Sequence, residues 1–402
     1  MRTWQRTLLV VAVVLVVSVI VAAVLIFHSA AQEIIAPVKP IDDVVQQVLA
    51  ARAATTVAAD SAPFAADGVV NVLVLGIDSR KEGKEQHCDA IHLFAVNTND
   101  WTVKVTSVPR GTYSYIPPGN YKPTDYYLAN ACAFAGLDYG IAQIEHILGV
   151  KADYVVTAGF SQVLGSLRVL GLPTTSSLQW LRQRQVYAIG DPQRSQNQAT
   201  FIVDVLRKFG GPDAHVPAAL QYLLYSFVNT DVVGTKMDFA TARALYEGLV
   251  SADIADHPEK ITYDMKPYYV TQDLHLDFAN ADAQVAALVA KLEGRLSPDD
   301  LSNRTIADVQ DELVAYLRKA LDDGDPEFSV VVAAQSWRQV EDDATREELH
   351  YAYVEKYAKQ LNETDNAAAV QYVADYILEK QTLGLSEWET KGRDLLTTLV
   401  VQ

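Results

Sequence analysis

Nine polar residues, Asp78, Arg80, Asp89, Arg110, Arg182, Arg184, Asp191, Arg194 and Gln198, fall where strands are expected to end or helices to begin. Carboxylate oxygens suit a hard divalent cation such as magnesium, which keeps positions open for phosphate, and arginine forks match phosphate oxygens. A pair of aspartates with several arginines is therefore what a diphosphate-handling site requires. Each residue alone also has a plainer reading. An Asp after a strand is often a turn former, and Arg182-x-Arg184 is equally a solvated surface pair. On an ideal helix those two arginines point roughly 200° apart, so they share a pocket only in an extended segment or at a helix end.

The elements that must position these groups can be read from texture. Val69 to Ile77 is a continuous apolar run leading to Asp78, as expected of a strand buried on both faces. Ala90 to Asn97 and Thr102 to Val108 read as an antiparallel hairpin around Thr98-Asn99-Asp100-Trp101. If the turn centres between Asn99 and Asp100, paired residue numbers sum to about 199, which sets Asp89 opposite Arg110. On a strand beginning at Asp89, His92 should project to the opposite face. That argues against zinc at His87, Cys88, Asp89 and His92.

Tyr139 to Leu148 reads as a helix and Tyr154 to Thr157 as a strand. A long helix should open at Asp191-Pro192, with Asp as N-cap and Pro at the first helical position, and close at Gly210-Gly211. Its stripe of Phe201, Ile202, Val205, Leu206 and Phe209 continues through Gln198 and Arg194, which should both point inward near the positive end of the helix dipole. Ile261 to Phe278 is expected to supply late strands and Asp282 to Leu292 a helix. This mixture suggests an α/β/α sandwich with a mixed central sheet.

The 402-residue chain has a net charge of −17. That is contrary to a nucleic-acid binder, which needs clustered cations. From Ser297 to Gln402 there are 22 acidic and 10 basic residues, so this stretch holds −12 of the total. Thr305 to Leu321 carries Ile306, Val309, Leu313, Leu317 and Leu321 at helical spacing behind a Thr305-x-x-Asp308 capping pattern, and Ser386-x-x-Glu389 opens another helix. The region reads as an all-helical, acidic C-terminal part. Cys88 and Cys132 are the sole cysteines, either one bridge or two free thiols.

Leu8 to Phe27 is an uncharged apolar run of 20 residues, long enough to span a bilayer, with Arg2 and Arg6 before it. An uncleaved single-pass anchor fits better than a cleaved signal, because the apolar run exceeds the usual ~7–15-residue signal core. The expected organisation is a cytoplasmic N-terminus at 1–7, an anchor at 8–27, a stalk at 28–67, an α/β domain at 68–296 and the acidic helical region at 297–402. The bulk of the protein is then extracytoplasmic.

Asn71-Val-Leu-Val-Leu-Gly-Ile-Asp-Ser-Arg80, Asp89, Ser107-Val-Pro-Arg-Gly-Thr-Tyr113, Arg182-x-Arg184 and Asp191-x-x-Arg194-x-x-x-Gln198 follow in this order behind one membrane span. Together they resemble the LytR-CpsA-Psr (LCP) family, over roughly Gly68 to Leu296, as a divergent member. The resemblance implies a membrane-anchored phosphotransferase of Gram-positive bacteria. Such an enzyme moves a polyprenyl-diphosphate-linked glycopolymer, of teichoic acid or capsular polysaccharide type, onto peptidoglycan. By the same resemblance Asp78 and Asp89 would hold Mg2+ (or Mn2+). Arg110, Arg182, Arg184 and Arg194 would be catalytic, while Arg80, Asp191 and Gln198 would bind substrate or support the arginines. The lipid would lie in an apolar tunnel lined by Phe160, Val163, Leu164, Leu167, Phe201 and Val205, residues that equally suit an ordinary core.

The chain departs from the family pattern at Gly111, where a carboxylate is usual, and at His87 and Asn197, where basic residues are usual. It also lacks the Lys expected near Tyr127 and Leu128, and the loop between Gly171 and Ser177 is short. These departures support a second reading: a catalytically degenerate relative that binds polyprenyl phosphate or wall polymer as a scaffold or sensor. Ser-His-Asp hydrolysis and a dinucleotide fold have no supporting spacing.

Overall fold

The computed structural model describes residues 68–79, 86–117, 121–232, 234–293, 305–322 and 324–401. The expected cytoplasmic segment, anchor and stalk (1–67) and Arg80 lie outside the described residues. Among those described, no helix is long and apolar enough to cross a membrane.

The central sheet is built from β1 (Val69–Ser79), β2 (Gln86–Asn97), β3 (Thr102–Ser107), β4 (Tyr154–Ala158) and β7 (Ile261–Met265) in the order β4-β1-β2-β3-β7. β1–β2 and β2–β3 pair antiparallel, whereas β1–β4 and β3–β7 pair parallel, so the sheet is mixed as expected. A two-stranded ribbon, β5 (Asp231–Val232) with β6 (Thr235–Lys236), flanks β4, whose Val155 N–H donates to Thr235 Oγ1. The β2–β3 hairpin has the anticipated register, with His92 opposite Ser107 and Asn97 opposite Thr102.

Both faces of the sheet are covered, because the alternation of its strands sends apolar residues each way. Leu73, Leu75, Cys88, Ile91 and Leu93 face α1 (Leu128–Ala135) and α2 (Leu137–Leu148), forming a core with Leu128, Cys132, Ile141 and Ile144. A Cys88–Cys132 disulfide ties β2 to α1, resolving the alternative left open by the sequence. Val70, Val72, Phe94, Val96, Val103 and Val105 face the other way, onto α5 (Asp191–Phe209) and α7 (Phe239–Ser251). Two shorter helices, α3 (Phe160–Val169) and α4 (Thr175–Arg182), flank the N-terminal half of α5.

Two local readings of α5 need correction. Asp191 is its first helical residue, and Gly190, at φ 53°, is the N-cap. Its N-terminal half is also buried on every side from Pro192 to Phe201, so the apolar stripe is joined by a polar interior of Gln193, Ser195, Gln196, Asn197 and Thr200.

That polar interior explains why only Ile261–Met265 of the expected late strands forms. Beyond it, Pro267 has no N–H to donate to a ladder. The following chain instead finds partners on α5: the Gln272 N–H donates to Gln193 Oε1, Gln193 Nε2 donates to the Gln272 carbonyl, and Thr200 Oγ1 donates to the Leu274 carbonyl. The chain then enters α8 (Ala281–Glu293).

α6 (Ala218–Phe227) precedes the small ribbon, and the described elements of the C-terminal part are helices: α9 (Ile306–Ala320), α10 (Glu327–Ala334), α11 (Asp343–Asn362), α12 (Asn366–Thr382) and α13 (Ser386–Val401). The Thr305/Asp308 capping box forms as read. The α9 stripe buries only toward its C-terminal end, leaving Ile306 and Val309 exposed while Leu317 is fully covered. This region docks on the back of α3 and on α6. Arg168 donates to the Arg338 and Val340 carbonyls, Gln339 Nε2 donates to Ser161 Oγ, and the Arg338 guanidinium lies 3.9 Å from the Phe227 ring.

Candidate functional site

Above the α5 face of the sheet lies a cavity of about 350 Å³, roofed by α3, α4 and α5. Its inner walls are apolar, made by Val74 of β1, Phe160 and Val163 of α3, Leu178 and Leu181 of α4, and Phe201 and Ile202 of α5. Asp78, Asp89, Arg110, Arg182, Arg184, Arg194 and Gln198 also line it. The structure thus gathers seven of the nine sequence-selected residues on one cavity, places Asp191 at its edge through ion pairs to Arg184 and Arg194, and does not describe Arg80. Of the residues expected to line an apolar tunnel, Phe160, Val163 and Phe201 do so. Leu164 and Leu167 are buried, and Val205 packs in a separate core.

The aspartates share a face because of a β-bulge. Gly76 pairs with Ala90, but Ile77 pairs with Cys88, leaving Asp89 as the extra residue. Without the bulge, Asp89 would follow Ile91 and Leu93 to the α1 side, opposite His92. With it, Cys88 takes that side, and Asp89 turns into the cavity beside Asp78 and His92. The expected opposition of Asp89 and His92 is therefore overturned. Gly76 permits the close strand approach, since a Cβ there would lie 2.8 Å from that of Ala90.

Arg110 comes from the loop after β3, and its Nη1 lies 2.8 Å from Asp89 Oδ1, the pairing anticipated from the hairpin register. The loop is held by the start of α1, where the N–H groups of Leu128 and Ala129 donate to the Thr112 and Arg110 carbonyls. Helix starts leave such donors unpaired. Here the loop satisfies them and is fixed in return.

Arg182 ends α4, and the extended Gln183 that follows lets Arg184 turn back to the same cavity. The helix end settles the question left by their spacing. The Arg182 guanidinium lies 5.0 Å from the Phe160 ring centre. Arg194 Nη2 donates to the Asp89 carbonyl at 3.2 Å and lies 3.3 Å from Asp191 Oδ1, while its buried Nε has no hydrogen-bond partner. Gln198 donates to the Leu181 carbonyl, just before Arg182.

Burial raises the Asp89 carboxyl above its ordinary pKa. Arg110 and Arg194 pull it down, and the Asp78 charge adds to the rise. Burial likewise lowers Arg194, with Asp191 and Asp89 opposing. His92 is fully buried against Ser107 Oγ and is held down to about 4, chiefly by burial, so it is a neutral wall residue at pH 7.

Among the described residues no three His, Cys, Asp or Glu side chains cluster as a metal site. The Asp78/Asp89 pair still fits a hard divalent cation that keeps open positions. Its donors are oxygens, both line one polar corner, and each is within electrostatic reach of the other, a repulsion that a dication would relieve. Sequence reasoning missed His92, Leu178 and Leu181 as cavity residues. Strand alternation sets His92 on the α5 face, and the angle of α4 brings in Leu178 and Leu181.

Residues 42–175 match the family model described as the LytR_cpsA_psr family. That match covers about a third of the chain. The match ends before Arg182, so the second half of the arginine set rests on the geometry above.

Among curated proteins, the chain is 28% identical over 133 residues to the polyisoprenyl-teichoic acid–peptidoglycan teichoic acid transferase TagU of Bacillus cereus, covering 32% of this chain and 42% of that protein. It is 34% identical over 95 residues to the similarly named TagT of Bacillus subtilis, covering 23% and 28%. The chain thus spans less than half the length of the curated LytR-CpsA-Psr relatives it matches.

Among solved structures, Bacillus subtilis TagV overlaps with a TM-score of 0.39 at 16% identity, over 57% of this chain and 99% of that one. TagT bound to LIIa-WTA overlaps with a TM-score of 0.36 at 17% identity, over 56% and 91%.

Proposed function

We propose that this protein is a membrane-anchored, extracytoplasmic phosphotransferase that moves a polyprenyl-diphosphate-linked glycopolymer onto peptidoglycan. The observation that carries the proposal is the composition of one cavity: apolar walls inside, and two aspartates with four arginines sharing it. An isoprenoid diphosphate has the same division. A cavity of about 350 Å³ matches the size of a drug-sized ligand site, so it would take the first isoprene units while the rest of the chain runs out.

In this reading Asp78 and Asp89 would hold Mg2+ or Mn2+, which when bound would neutralise diphosphate oxygens. Arg110 and Arg194, each already aimed by a contact to Asp89, bind the anion and stabilise the charge that develops on the transferring phosphoryl group. The unpartnered Arg194 Nε is a free donor for a phosphate oxygen. Arg182 and Arg184 close over the diphosphate from the end of α4. Gln198 fixes that end through Leu181. The names of TagU and TagT point to the same cargo class, with teichoic acid as one candidate.

The competing reading is a polymer-binding scaffold, favoured by the bare backbone at Gly111. Both readings predict lipid diphosphate binding, and only the first predicts turnover. The deciding assay incubates the purified chain with a polyprenyl diphosphate-linked saccharide and peptidoglycan, and follows release of polyprenyl phosphate. Arg194→Ala should abolish release. Binding by the wild type without release would refute the transferase and leave the scaffold.

A further inference from the structure

Transfer to a hydroxyl acceptor requires somewhere for the hydroxyl proton to go, and two of the three aspartates here face other duties. Asp78 and Asp89 share the cavity corner, and Asp89 Oδ1 lies against Arg110. Asp191 differs. Its Oδ1 alone meets the arginines, at 3.4 Å from Arg184 Nη1 and 3.3 Å from Arg194 Nη2. Its Oδ2 points the other way, toward the backbone of Gly111: a Cβ built on that glycine would lie 3.3 Å from Asp191 Oδ2 and meet nothing else within 4 Å. The side chain keeps a quarter of its surface exposed at the rim, so a bulky acceptor can reach it.

We infer that Asp191 Oδ2 accepts the proton of the acceptor hydroxyl, and that the missing side chain at Gly111 is the gap through which that hydroxyl approaches. The inference rests on the transferase reading above. The acceptor oxygen forms a bond to the polymer-bearing phosphorus. The bond from that phosphorus to the bridging oxygen breaks, its electron pair leaves on the polyprenyl phosphate, and the proton passes to Asp191. Arg184 and Arg194, the charged groups facing Asp191, hold the carboxylate by Oδ1 and keep Oδ2 aimed outward.

The test moves the carboxylate. Asp191→Asn retains an amide oxygen for both arginines. It should lower kcat by about 10²–10⁴-fold, the usual contribution of a general base, with KM for the lipid donor and its binding changed less than about threefold. In that background Gly111→Asp should restore kcat at least about tenfold, because Gly111 has no positive φ and the new side chain enters the same gap. In the wild-type background Gly111→Asp should instead lower kcat, by crowding and repelling Asp191.

If Asp191 only positions the arginines, Asp191→Asn will weaken donor binding and the double variant will recover nothing. Either result overturns the inference. A wild-type protein that binds no lipid diphosphate refutes the transferase reading itself, before any variant is compared.

Discussion

The Cys88–Cys132 bridge should dominate the stability of the α/β part, and its contribution can be worked from sequence separation. It closes a loop of 44 residues containing most of the β2–β3 hairpin and the Arg110 loop. Loop-closure entropy for that length comes to ~4 kcal/mol at 25 °C. Both half-cystines are also buried beside Ile77, Leu128 and Ile144, where alanine leaves a cavity. Chemical reduction isolates the cross-link, whereas Cys88→Ala/Cys132→Ala removes the cross-link and some packing. Urea unfolding of the wild type with and without reductant should show a midpoint shift of about 1.3 M, taking m near the ~3 kcal/mol/M upper end for small proteins. The double variant should unfold at or below the reduced midpoint and ignore reductant. A reductant-induced shift equivalent to less than about 1 kcal/mol, or an equal shift in the variant, would refute the argument. Because Cys88 adjoins the bulged Asp89, and Cys132 lies on the helix that pins Arg110, reduction should also weaken lipid diphosphate binding.

Three further outcomes follow from particular contacts. His92 is buried neutral with a pKa of about 4 against an unfolded value near 6.5, so its stabilising effect is complete above pH 6.5 and lost as the pH falls toward 4. Buried His350 is depressed in the same direction, and His92→Gln combined with His350→Gln should reduce the loss of stability across that window more than either change alone. At the junction with the C-terminal region, Glu379 is buried with Arg338 Nη2 at 2.7 Å and Lys380 Nζ at 3.1 Å. Glu379→Gln leaves those cations under-compensated and should destabilise the protein by about 3–5 kcal/mol in thermal unfolding. A loss below 1 kcal/mol would mean that water reaches the pair. Gly248→Ala would set a Cβ about 2 Å from the Trp101 ring, and the overpacking should cost ~1–3 kcal/mol, read as a lower Tm with a changed tryptophan emission.

Much of this molecule was legible in one dimension because the relevant rules are local. A two-residue side-chain period and a turn rich in Thr, Asn and Asp were enough to register β2 against β3 and so pair Asp89 with Arg110. A proline near the start and two glycines at the end bounded α5, and its 3.6-residue period aimed Arg194 and Gln198 inward. The capping box at Thr305 was equally local. What failed depended on contacts between distant segments. The bulge that turns Asp89 toward His92 needs β1 as well as β2, because an extra residue is defined only against a partner strand. The segment after Met265 abandoned the sheet because buried amides of α5 offered its backbone better partners.

Residue types and their order along the chain therefore determined which groups could handle a diphosphate, and which two strands would present the first of them. Tertiary structure alone decided that Arg182 and Arg184 meet across a helix end, that Phe160 lines a cavity while Leu164 is buried away from it, and that Asp191 turns its free oxygen to Gly111. The physical reason is one of range. Backbone periodicity fixes directions over a few residues, whereas a cavity is the space left when several helices have packed, and no single segment encodes it.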